Sequence, residues 1–128
     1  MGLAAHVSSR SVSDTQVAVF RPTLAMIEND IRALLDASSV GADAPNLARI
    51  QDTLTAGYAR AMALEADQWR LQRLIADTAM RLADDPSEVR TAELKRLARD
   101  LKRVESDLVG IRDLIASLRA RASAAQAA

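Results

Sequence analysis

Leucine, isoleucine and valine return every three or four residues along most of this chain, the spacing that lines one face of an α-helix. The clearest run is Leu94, Leu97, Leu101, Val104, Leu108, Ile111, Ile115 and Leu118, with no polar interruption. It predicts a helix from Pro86 to about Ala122. An earlier run steps by three then four through Leu47, Ile50, Leu54, Gly57, Ala61, Leu64, Gln68, Leu71, Ile75, Thr78 and Leu82. This heptad pattern, diluted by small or polar residues at Gly57, Ala61, Gln68 and Thr78, predicts a helix from Pro45 to about Ala83. At about 1.5 Å per residue each helix reaches roughly 50 to 55 Å.

A shorter pattern precedes them: Val17, Phe20, Leu24, Ile27, Ile31 and Leu34. Pro22 cannot donate to the helix ladder, so the firm part of this first helix is expected at Pro22 to Ala37, with Pro22 in the first turn. Ser13 and Gln16 form a possible capping box before it. The serine-rich residues 1–13 read as a flexible arm, and residues 123–128 as a frayed tail without an apolar anchor. Ser38 to Ala44 collects turn formers and reads as a linker. Asp84, Asp85, Pro86 and Ser87 break the heptads again, with Asp85 and Glu88 as the expected N-cap pair of the last helix. The fold class is therefore all-α: a long antiparallel, coiled-coil-like hairpin with a shorter N-terminal helix, closing as a three-helix bundle or as an oligomeric one.

A short turn makes the two long helices antiparallel, and one register brings both seams face to face. Setting Ile75 opposite Leu97 also sets Leu71 opposite Leu101, Gln68 opposite Val104, Leu64 opposite Leu108, Ala61 opposite Ile111 and Leu54 opposite Leu118. Small or polar residues on one helix thus meet large ones on the other. The same register brings Arg81 near Glu93 and Tyr58 near Arg112, but also Asp67 near Asp107 and Glu65 near Glu105. Exposed pairs contribute about 0 to 1 kcal/mol, against roughly 1.5 to 3 kcal/mol for each buried Leu or Ile, so the apolar seam decides. Arginines of the first helix or of a second chain are expected to relieve the carboxylate clashes.

A second stripe, Tyr58, Met62, Trp69 and Ala76, lies off the hairpin seam on one helical face. The first helix is expected to fold back and pack Leu24, Ile27, Ile31 and Leu34 there, making Trp69 and Tyr58 core residues. It is about half as long as the second, so part of the stripe is left exposed or covered by another subunit.

Composition removes most chemistry. The chain has no cysteine, and its one histidine is His6, in the expected arm. Cysteine nucleophiles, zinc-thiolate sites and histidine-assisted catalysis are thereby excluded. Four scattered glycines build no phosphate loop, and no Ser or Thr sits in a nucleophile elbow. Asp84 and Asp85 are explained by the turn that they form. The expectation is a protein that is not an enzyme, with no catalytic residue, metal or cofactor.

Seventeen basic residues balance seventeen acidic ones, so no overall field draws the chain to nucleic acid or to an anionic membrane. A local basic run exists at Lys95, Arg96, Arg99, Lys102 and Arg103. All five fall on the outer face relative to the Leu94 to Leu118 seam, among acidic neighbours and without aromatics that could stack on bases. Nothing reaches the roughly 18 to 20 apolar residues of a membrane span, and no signal peptide opens the chain, so the cytoplasm is its expected location. The functional expectation is a helical interaction or scaffold protein that self-associates or binds a partner protein's helix through Tyr58, Met62 and Trp69. The alternative is a regulator that binds nucleic acid through the basic run.

Overall fold

A computed structural model describes residues 22–37 and 46–127. They form three helices: α1 (Leu24–Asp36), α2 (Leu47–Asp84) and α3 (Glu88–Ala127). Residues 1–21, with the expected arm, His6 and the Ser13 and Gln16 capping box, lie outside the described residues, as do residues 38–45 with the expected linker and Pro45.

Each helix begins on a side-chain cap, two residues later than the prolines suggest. Thr23 Oγ1 accepts from the Met26 N–H at 3.2 Å, so Pro22 stands before the cap rather than in the first turn. Asn46 Oδ1 accepts from the Arg49 N–H at 2.7 Å and opens α2 at Leu47. The expected pairing of Asp85 with Glu88 does not form. Ser87 Oγ accepts from the Arg90 N–H at 3.4 Å instead, while Asp85 closes α2 by donating its own N–H to the Arg81 carbonyl at 2.9 Å. Proline has no side-chain oxygen with which to satisfy the free amides of a first turn, whereas the Thr, Asn and Ser beside these helix starts do. At the other end α3 continues past Ala122 to Ala127. Residues 123–127 are exposed, and the high helix propensity of their alanines carries the ladder without tertiary contacts.

The two long helices, about 57 and 60 Å in length, pair in the expected register. A Cβ built on Gly57 would lie 3.2 Å from Ile115 Cγ1, which places Gly57 opposite Ile115, one step between the pairs Ala61 with Ile111 and Leu54 with Leu118. Leu54, Ala61, Leu64, Leu71, Leu97, Val104, Leu108, Ile111, Ile115 and Leu118 are all buried in one core. Ile75 and Leu101 are partly buried against it.

Helix α1 runs antiparallel to α2 and covers only the half of the hairpin remote from the turn, burying Ile27, Ile31 and Leu34. Two observations fix its place. Gly57 is within reach of Ile31 Cδ1 as well as of Ile115, and Arg121 of α3 donates to the carbonyls of Leu35, at 2.9 Å, and Ala37. Arg121 thus caps the C-terminal end of α1, where carbonyls lack helical partners and a cation is favoured. Arg90 does the same for α2, its Nη1 donating to the Arg81 and Asp85 carbonyls, each at 3.1 Å.

Two glycines test this packing in opposite directions. Gly57→Leu is expected to lower stability by about 1 to 3 kcal/mol, because the added side chain must displace Ile115 and Ile31. Gly110→Ala should raise it by about 0.5 to 1 kcal/mol, since a Cβ there meets only Glu28 Oε2, at an ordinary 3.7 Å. Urea denaturation midpoints measure both. Arg121→Ala is expected to speed hydrogen exchange at the amides of Ile31 to Asp36 about ten- to thirtyfold, with little change along α2, as α1 loses its cap.

Candidate interaction surface

The two flanks of α2 on either side of its buried seam have opposite fates. One flank, with Thr53, Ala56 and Arg60, is half-buried; the other, with Tyr58, Met62 and Trp69, is open to solvent. At 3.6 residues per turn these sets lie on either side of Gly57, so α1 occupies the first flank and leaves the aromatic stripe bare. This overturns the expectation that the first helix packs on Tyr58 and Trp69. The reason is steric: Gly57 and Ala56 let the branched Ile31 approach closely, whereas Tyr58 and Met62 would hold a helix away and lose those contacts. Arg60 runs along the covered flank with its Nε buried and without a hydrogen-bond partner among the described residues.

Trp69 is accordingly 67% exposed, Met62 68%, Met80 69% and Tyr58 42%. Large side chains with this much apolar surface in water, aligned on one helical face, are the least expected feature of a chain so poor in aromatics. From Tyr58 to Met80 the stripe spans about 33 Å. Met80, which the sequence offers together with Met62 as an extension of a soft contact face, continues the stripe four residues past Ala76.

Two hollows follow the stripe. A groove of about 460 Å³ between α2 and α3 is lined by Tyr58, Met62 and Glu65 on one side and by Arg112, Ala116 and Arg119 on the other. Tyr58 and Arg112 thus share one groove, as the register predicts. Glu65 does not suffer from Glu105: Arg112 Nη2 reaches Glu65 Oε1 at 2.5 Å across the groove. Asp67 sits 4.0 Å from Arg70 on its own helix. The expected relief by α1 or by a second chain is therefore supplied within the hairpin. A shallower hollow of about 520 Å³ surrounds Trp69, with Ala66, Gln72, Arg73 and Ala76.

The basic residues Lys95, Arg96, Arg99, Lys102 and Arg103 are all exposed on α3, and Arg103 pairs with Asp100 at 3.4 Å. Among the described residues no group of three His, Cys, Asp or Glu side chains could hold a metal ion, and no helix is long and apolar enough to cross a membrane. A further hollow of about 480 Å³ at the hairpin turn, between Leu82 and Lys95, joins Pro86, Ser87 and Glu88 without a convergent set of reactive groups.

With Trp69 on the surface, Trp69→Ala should change the stability of the dilute protein by no more than about 0.5 kcal/mol, against about 2 to 5 kcal/mol for Ile111→Ala in the core. Chemical denaturation of the two variants gives the comparison. No family model, curated protein or solved structure matches the chain, so the purpose of this surface has to be argued from its own residues.

Proposed function

We propose that this chain is a non-enzymatic interaction protein, a helical scaffold that offers the Tyr58, Met62 and Trp69 stripe to another helix, whether from a second copy or from a different protein. The observation that carries the reading is the exposure of Tyr58, Met62, Trp69 and Met80 along one face of α2 while α1 occupies the opposite flank. A straight apolar ridge beside a groove suits a helix laid lengthwise, with anchors one turn or two apart entering successive gaps. Tyr and Trp contribute most when such a surface is closed, because each removes much apolar area from water at small entropic cost.

Nucleic-acid binding through Lys95, Arg96, Arg99, Lys102 and Arg103 is the weaker reading. Those five side chains are exposed, but Asp100 sits in an ion pair among them and no aromatic residue interleaves with them along α3 for a base to stack on.

Photo-crosslinking distinguishes the faces. A photoreactive side chain at Ala66, beside Trp69, is expected to yield discrete adducts in the native cell, to a second copy or to another protein, whereas the same group at Arg99 yields none. Adducts from Arg99 alone, or from neither position, would overturn the reading.

A further inference from the structure

We infer that the occupant of the stripe is a second copy of this chain, laid antiparallel across a two-fold axis that passes beside Trp69. This rests on the reading of the stripe as a docking surface and names its partner.

The argument begins from symmetry. Trp69 stands at the midpoint of the stripe, so a perpendicular two-fold there sets residues equally distant on either side of it against one another. Met62 comes opposite Ala76 of the other copy, and Tyr58 opposite Met80. Trp69 meets Trp69. A large side chain therefore faces a small one at the 62 and 76 positions, and aromatic faces methionine at the ends, a favourable contact for the thioether.

Charge follows the same operator. Glu65 and Arg73 lie four residues before and after Trp69, so the axis brings each level with its opposite on the other copy, twice per dimer, and Arg73 of one copy would join the Glu65 and Arg112 pair of the other. Among the described residues Arg73 has no ion-pair partner. A parallel arrangement would instead stack Glu65 on Glu65 and Arg73 on Arg73.

The second long helix agrees. In the hairpin register the level of Trp69 on α2 corresponds to that of Arg103 on α3, so the two-fold brings Arg119 level with Ser87 and Glu88 of the other copy, and Arg112 level with Leu94. Arg119 and Glu88 make no ion pair among the described residues. The half-buried Leu94 and Leu101 lie on this same face of α3 and would be covered. Since α1 occupies the opposite face of the hairpin, none of the described residues obstructs two hairpins from meeting as an antiparallel four-helix bundle with both α1 helices outside.

The chain has no cysteine, so introduced thiols report the register without background. Met62→Cys and Ala76→Cys proteins, mixed and oxidised, are expected to form the mixed disulfide at least about tenfold over either homodisulfide, because only that pair of positions comes within the roughly 7 Å that a disulfide bridges. Light scattering on the unmodified protein should give the mass of two copies, and Trp69→Glu should raise the dissociation constant about thirtyfold or more, with circular dichroism confirming that its helices persist. A Met62→Cys homodisulfide as the main product would overturn the antiparallel two-fold. A single-copy mass at every concentration would overturn self-pairing. If photo-crosslinking at Ala66 then still captured a different protein, the docking surface would stand and its occupant would be that protein; if it captured nothing, both proposals would fall.

Discussion

The interlock of unequal side chains between α2 and α3 governs everything else in this molecule. Where α2 carries Gly57 and Ala61, α3 carries Ile115 and Ile111, so the helices close on each other without a void and without a choice of register. A slip by one heptad would set Gly57 against Leu108 or Ala122 and leave either a hole or an overlap among residues that are now buried. Exposed ion pairs could not compensate for such a loss. The charges instead adapt to the register, as Glu65 does in reaching forward to Arg112 rather than facing Glu105.

The same narrow place in α2 also decides where α1 goes. Gly57 touches α3 and α1 at once, so one missing side chain serves two interfaces. With Ala56 beside it, the flank toward α1 is low, and Ile27, Ile31 and Leu34 settle there. The aromatic flank is left over by that preference. Its exposure is thus a consequence of core packing, and the interaction proposal draws on a surface which the fold itself had no use for.

The helices, the turn at Pro86 and the pairing of the two seams were all legible in the sequence, because each depends on periodicity and on the sizes of facing residues. Helix starts were less so. Pro22 and Pro45 drew attention to the wrong residues, although Thr23 and Asn46 stand beside them with the oxygen that capping needs. The side on which α1 packs was not legible, since a helix of Leu and Ile is apolar enough for either flank and the decision lies in how closely backbones approach. Trp69 invited the opposite conclusion because aromatic residues are usually assigned to cores. Arg121 left no trace in any motif: its role depends on two carbonyls far away along the chain.

That last contact has a consequence for the order in which the molecule assembles. Leu35 and Arg121 are separated by 86 positions, so α1 leaves the ribosome long before the group that closes its end has been synthesised. At 13 residues α1 is near the length at which an isolated helix is marginal in water. Its three apolar anchors therefore wait, exposed, until the hairpin has folded and turned its last arginine back toward them. Of the described helices the first in the chain is thus the last to be locked, and the nascent chain passes through a stage in which α1's face and the aromatic stripe are both open to other chains.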